Sequence, residues 1–76
     1  MSSRNSLIER LSMAAIRVMK ARTIVTQQEE IIERLRRHGL DTTLAEEALT
    51  LFKSTLQLFE EEYKRLKREF NGAMKD

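Results

Sequence analysis

Two long stretches of the chain carry apolar residues at alternating steps of four and three positions, and this spacing constrains the fold more than any other feature. In the first stretch the spaced positions are Leu7, Leu11, Ala14, Val18, Ala21, Val25, Gln28, Ile32 and Leu35. In the second stretch they are Ala45, Leu49, Phe52, Leu56, Phe59, Tyr63, Leu66, Phe70 and Ala73. Heptad spacing places each set along one side of an α-helix, which we call the seam of that helix. The sequence therefore predicts two long amphipathic helices.

Glycines and capping residues mark where these helices end. The chain has no proline and two glycines, and the first of them, Gly39, suits a left-handed C-terminal cap. Good N-cap residues follow at 41–43, and Glu46 stands three positions after the last of them, which is the spacing of a capping box. Asn71-Gly72 is expected to end the second helix.

A link of about four residues joins the two predicted helices, and a link this short makes neighbouring helices antiparallel. We therefore predict an all-α fold, an antiparallel two-helix hairpin with helices at about 6–37 and 42–71. Asn5 or Ser6 is expected to cap the first helix. With 76 residues, the chain has room for a single domain, 1–76.

A second apolar stripe runs along each helix beside its seam. On the second helix it comprises Leu44, Ala48, Leu51, Thr55 and Leu58, and on the first helix Met13, Ile24 and Ile31 flank one side of the seam and Ile8 and Ala15 the other. One hairpin cannot bury two stripes per helix, whereas a four-helix bundle of two hairpins can. We predict a homo-oligomer, with a dimer favoured, whose interface contains Leu44, Ala48, Leu51, Thr55, Leu58, Ile24 and Ile31. Higher oligomers and a foreign partner helix remain open.

Charge is distributed unevenly along the chain. Residues 1–26 carry a net charge of +4, residues 27–62 carry −5 and residues 63–76 carry +3. In a hairpin the two positive segments meet at the open end, where they could contact nucleic acid, an anionic lipid surface or a small anionic ligand. The residues predicted for such contacts are Arg10, Arg17, Lys64, Arg65, Lys67 and Arg68. These segment charges also predict that two paired hairpins have their turns at opposite ends, with a two-fold axis near Val25 and Leu56.

Few residues suggest chemistry. The chain has no cysteine, and its single histidine, His38, is expected in the turn without the nucleophile or orienting group that a catalytic triad needs. A Glu-x-x-His metal motif is absent, because Leu35 stands three positions before that histidine. We therefore expect no enzyme activity, no metal and no cofactor. Gln28, the polar member of its seam, either fixes the register through a buried hydrogen bond or is tolerated at a wet position.

The segment around the predicted turn carries a resemblance. It reads Gln27-Gln28-Glu29-Glu30-Ile31-Ile32-Glu33-Arg34-Leu35-Arg36-Arg37-His38-Gly39-Leu40-Asp41-Thr42-Thr43-Leu44-Ala45-Glu46, followed by Leu49, Phe52, Thr55 and Leu56. Over about residues 24–66 the chain resembles a group of short uncharacterised helical-hairpin proteins of rhizobia and related alphaproteobacteria, departing from their pattern at Leu40, where histidine or tyrosine is expected. The resemblance implies a bacterial cytoplasmic protein and implies no activity. In architecture alone the chain also resembles the small plasmid RNA-binding hairpin that dimerises into a four-helix bundle.

Together these patterns predict a non-enzymatic protein-interaction module, a homo-oligomeric helical hairpin that binds a macromolecular partner. The alternative is an RNA- or DNA-binding hairpin dimer that uses the basic open end. The longest apolar run, 13–16, is too short to cross a bilayer, so no transmembrane segment and a cytoplasmic location are expected.

Overall fold

The chain forms two antiparallel α-helices, as predicted. The computed structural model describes residues 3–74, in which α1 spans Ser3–Arg37 and α2 spans Thr43–Ala73. The helices lie side by side in a hairpin measuring 59 × 16 × 14 Å. The all-α class and the two-helix hairpin are therefore confirmed, and the described residues include no strand.

The two seams form the interior of the hairpin. Every seam position on both helices is buried or half-buried, and the most deeply buried side chains are Ala14, Val18, Ala21, Val25, Ile32 and Leu66. The seam of α1 supplies mainly alanine and valine, whereas the seam of α2 supplies leucine and aromatic side chains. Small residues on one helix therefore leave room for large ones on the other, and burial of each large side chain contributes about 1.5–3 kcal/mol.

The turn follows the predicted glycine cap. Gly39 adopts a φ of 67°, the left-handed region that glycine reaches without steric cost. The N–H of Gly39 donates to the carbonyl of Arg36 at 3.0 Å, and the N–H of Leu40 donates to the carbonyl of Leu35 at 2.9 Å. These two bonds make a Schellman motif, which satisfies carbonyls at the end of α1 and reverses the chain direction.

The start of α2 is held by Asp41. Its Oδ1 accepts hydrogen bonds from the backbone N–H of Thr43 at 3.0 Å and from the Thr43 hydroxyl at 2.7 Å. The predicted capping box is wrong, because the carboxylate of Glu46 is bound instead by the Thr42 hydroxyl at 2.9 Å and by Nη2 of Arg36 at 2.7 Å. A guanidinium nearby competes successfully for the glutamate that the capping box needed.

Both helices extend beyond their predicted outer ends. Since α1 begins at Ser3, Asn5 and Ser6 lie inside its first turn, and the prediction that either caps the helix is wrong. The second helix continues through Gly72 to Ala73, so Asn71-Gly72 does not end it. Glycine in a helix costs only about 0.5–1 kcal/mol, and the half-buried seam residue Ala73 lies just beyond it.

Candidate interaction surface

One broad side of the hairpin carries the second apolar stripe of α2, and we call this side the patch face. A groove on it is lined by Ile24 of α1 together with Thr55 of α2. The same side carries an ion pair from Nη1 of Arg17 to Oε1 of Glu62 at 3.3 Å. Seven residues make almost two full helical turns, so positions seven apart from these residues continue the same face along both helices.

The turn half of the patch face is an exposed apolar surface. Seven side chains form it, and we call them the apolar patch: Ile24, Ile31, Leu44, Ala48, Leu51, Thr55 and Leu58. Leu44, Leu51 and Leu58 are 80, 68 and 65% exposed, and the two isoleucines are 44 and 40% exposed. The structure thus brings all seven predicted interface residues onto one side of the hairpin.

The apolar patch is large for so small a molecule. It extends over about 14 residues of helix, or roughly 20 Å, and the hairpin is 16 Å wide. In projection this corresponds to roughly 300 Å², a size at which exposed apolar surface in a monomer is often functional. The other large exposed apolar side chains are dispersed over the remaining surface: Ile8, Met13, Ile16, Met19, Leu40 and Met74.

The open half of the patch face is charged, and the two helices carry different charges there. On α1 the residues at heptad positions matching the patch are Arg10, Arg17 and Lys20, all basic. On α2 they are Glu62 and Glu69, with Arg65 between them. Arg10 pairs with Glu69 at 3.8 Å, as Arg17 does with Glu62. Within this half, a basic edge on α1 therefore lies beside a mainly acidic edge on α2.

Polar contacts dominate the opposite face. There α1 and α2 are joined by three ion pairs: Arg22–Glu60 at 3.1 Å, Glu29–Lys53 at 4.0 Å and Arg36–Glu46 at 2.7 Å. All of these side chains are at least one-third exposed, and exposed pairs contribute only about 0.2–1 kcal/mol each. Their regular spacing indicates a solvated face that supports the register of the hairpin.

Gln28 joins the helices from within the seam. Its Nε2 donates a hydrogen bond of 2.9 Å to the carbonyl oxygen of Ala45, and the side chain is half-buried. Of the two readings left open by the sequence, the hydrogen bond is therefore the one that the structure contains. A directed bond from α1 to the α2 backbone favours one sliding position of the helices over others.

The six basic residues predicted for anion binding do not form one surface. Arg10 and Arg17 are paired with glutamates, and Arg65 borders the same depression on the patch face. Lys64 and Lys67 line a depression on the opposite face, where Nζ of Lys67 lies 5.9 Å from the centre of the Tyr63 ring. Arg68 borders a third depression with Leu58. The basic open end thus distributes its cations around the hairpin.

Sequence reasoning missed the role of the acidic residues on the patch face. Glu62 and Glu69 continue the heptad positions of Ala48 and Thr55, and this spacing could have assigned them to the patch face. Instead the sequence interpretation treated Glu62 as a partner for the basic run after it. The structure shows that Glu62 reaches across to α1.

The described residues contain no group of three histidine, cysteine, aspartate or glutamate side chains able to hold a metal ion. His38 lies exposed in the turn, where its N–H contacts the carbonyls of Arg34 and Leu35. Neither described helix has an apolar stretch long enough to cross a bilayer. No family model, curated protein or solved structure matches the chain, so the arrangement of its own residues carries the functional argument.

Proposed function

We propose that the hairpin is a non-enzymatic interaction module whose apolar patch binds a second copy of the chain. The observation that carries this proposal is the exposure of three leucines and two isoleucines on one side of a hairpin whose seams are already filled. The chain has no cysteine for a disulfide, and so small a domain has little stability to spare. Association is the remaining way to remove this apolar surface from water.

The energetics support association at micromolar concentration. The exposed fractions of the five large patch residues together equal about three fully exposed aliphatic side chains, and burying them contributes about 6 kcal/mol per chain, or about 12 kcal/mol per dimer. Loss of translational and rotational freedom costs about 4–15 kcal/mol. A micromolar dissociation constant requires about −8 kcal/mol, which the apolar patch and the polar contacts beside it together approach.

Sedimentation equilibrium of the whole chain tests the proposal. We expect a dimer of the 8.9 kDa chain at micromolar concentration. Leu51→Glu should raise the dissociation constant at least tenfold, since a carboxylate at the centre of the apolar patch must lose its water on association. A folded wild-type monomer at this concentration would contradict the proposal.

Met19→Glu provides a matched control. Met19 is 66% exposed, nearly the same as Leu51 at 68%, but it borders the depression on the opposite face. The two variants introduce the same charge in the same kind of exposed helical position. Equal loss of association in both would show that added charge, and not the apolar patch, governs the result. A wild-type tetramer would show that the patch binds copies in a different number.

The alternative function, RNA or DNA binding, has one supporting observation. Within the described residues, Lys64, Arg65 and Arg68 form no ion pair, so three cations near the open end are available to phosphates. Binding through them must weaken steeply as salt rises. Duplex and single-stranded RNA and DNA, titrated at two salt concentrations, would test it, and Arg65→Gln with Arg68→Gln should reduce affinity and salt slope together.

A further inference from the structure

We propose that the second copy docks with its turn at the same end as the first, so that each α1 lies on the α2 helix of its partner. This inference rests on the proposed function, because it concerns the same apolar patch. It reverses the orientation expected from the segment charges, since only the charges on the patch face meet in the interface.

Two arrangements bring one patch face against another with two-fold symmetry. If the axis runs along the helices, the turns lie together and α1 covers the partner's α2. If the axis runs across the helices, the turns lie at opposite ends and α1 covers the partner's α1. The two arrangements therefore make different demands on the side chains of the patch face.

The cross-helix ion pairs give the height of each residue along the hairpin. Arg10 pairs with Glu69 and Arg17 with Glu62, so residues whose numbers add to 79 lie at one height on this face. With the turns together, Ile24 and Ile31 lie at the heights of Thr55 and Ala48 of the partner, between its exposed leucines. The isoleucines of α1 then fill the spaces of the leucine stripe, and the hairpins overlap over their whole length.

The charges match in the same arrangement. Arg10 and Arg17 lie at the heights of the partner's Glu69 and Glu62, and Lys20 lies between the partner's Leu58 and Glu62. Each chain thus offers its basic α1 edge to the acidic α2 edge of the other, twice in the dimer. Arg65 is the one cation within the acidic edge. The arrangement covers a face of 59 × 16 Å on each copy, and a standard interface buries about 800 Å² per partner.

Opposite ends satisfy these requirements less well. With full overlap, Arg17 falls on the partner's Ile24 and Leu51 falls on the partner's Arg65, so charges lose water against apolar side chains. Sliding the hairpins until the apolar patches coincide removes this mismatch. It also brings Lys20 close to the partner's Arg34 and leaves about 20 Å of each open end uncovered.

The open ends, each with a net charge of +7 from the two basic segments, repel one another when the turns lie together. Several of these charges, such as those of Lys64 and Lys67, lie on the face turned away from the interface. At physiological salt the screening length is about 8 Å, so outward-facing charges on different copies interact weakly. Ion pairs in contact across the interface are screened much less, and they decide the orientation.

Distances between spin labels test the proposal, and the absence of native cysteine permits single-site labelling. Ser12→Cys and His38→Cys place labels near the open end and in the turn, both outside the patch face. With the turns together, each label lies about 15–30 Å from its copy, which is the width of a four-helix bundle plus the label arms. With the turns at opposite ends, the two separations add to about 78 Å along the helices, so at least one is about 39 Å or more.

Two distances below about 35 Å support the proposal, and either distance above this value overturns it. Full-chain sedimentation of each labelled variant separates the two inferences. A monomer without intermolecular dipolar coupling contradicts the proposed function and this inference together. A dimer with one long distance contradicts the orientation alone.

Lys20→Glu gives an independent test with opposite signs. With the turns together, the new carboxylate faces the partner's Glu62, and the dissociation constant should rise at least threefold. In the staggered opposite arrangement the carboxylate faces the partner's Arg34, and the dissociation constant should fall. Lys64→Glu makes the same charge change on the opposite face and should stay within about twofold of wild type, the effect of an exposed pair. An unchanged or lower constant for Lys20→Glu overturns the proposal.

Discussion

Replacing Gly39 by alanine should destabilise the hairpin, whereas the same replacement at Gly72 should stabilise it. Gly39 has a φ of 67° in the turn, while Gly72 lies inside α2 and does not have a positive φ. At both positions a Cβ atom would meet no neighbouring atom within 4 Å. Steric collision is therefore absent from both variants, and backbone conformation alone distinguishes them.

The expected magnitudes follow from that conformation. A left-handed backbone costs a non-glycine residue about 1–2 kcal/mol. Alanine also restricts the unfolded chain, which returns about 0.4–1 kcal/mol, so Gly39→Ala should lower the free energy of unfolding by about 1 kcal/mol. Gly72→Ala should raise it by up to about 0.5 kcal/mol, the lower end of the usual range for a helix, since the last helical turn frays.

Urea unfolding followed by far-ultraviolet circular dichroism measures both changes. All variants must be compared at one chain concentration, because association adds to the apparent stability. Gly39→Asn is the matched third variant, because asparagine tolerates the left-handed region better than alanine. Its midpoint should fall between those of wild type and Gly39→Ala.

Shifts of the same sign at both glycines would refute this reasoning. So would a Gly39→Ala variant as stable as wild type, because the turn would then accept another conformation at no cost. On melting, about 1 kcal/mol corresponds to about 4–8 °C for a domain of this size. The two variants should therefore separate clearly in a thermal scan.

Three further predictions concern the seams and the turn. Leu66→Ala should lower the free energy of unfolding by about 2–5 kcal/mol because Leu66 is only 2% exposed, whereas Leu40→Ala in the exposed turn should change it by less than about 0.5 kcal/mol; equal urea midpoints for the two variants would contradict the assigned seam. Gln28→Leu should keep or raise the urea midpoint, since the added apolar burial offsets about 0.5–1.5 kcal/mol for the lost hydrogen bond to Ala45; a clear fall would show that this bond holds the helices in register. The hydroxyl and backbone N–H of Thr43 hold the pKa of Asp41 below its ordinary value of 3.8; because the folded pKa is the lower one, the stabilising contribution is present above the ordinary value and is lost as pH falls through the folded pKa, and Asp41→Asn should flatten that part of the acid unfolding curve.

The predicted electrostatics of association show where sequence reasoning stops. Net charge summed over segments combined residues that point in different directions, such as Arg17 on the patch face and Lys64 on the other. Charges interact strongly only over distances comparable to the screening length. The orientation inferred from the segments therefore differs from that inferred from the patch face, where Arg17 and Glu62 lie side by side.

Local patterns in the sequence were sufficient to predict the seams and the glycine cap. Heptad spacing depends only on the geometry of each helix, and every residue assigned to a seam, including Gln28, is buried or half-buried. Gly39 takes the left-handed conformation expected of it because few other residues can. The outer helix ends were less predictable, since they depend on free-energy differences of about 1 kcal/mol.

Register and sidedness required the folded hairpin. Nothing in the periodicity of α1 states which flank of its seam shares a side with Leu51 and Leu58, because that depends on how the turn sets one helix against the other. The contacts between Arg17 and Glu62 and between Gln28 and Ala45 establish this relation. Ile24 and the leucine stripe become one surface only once the two helices are antiparallel and in this register.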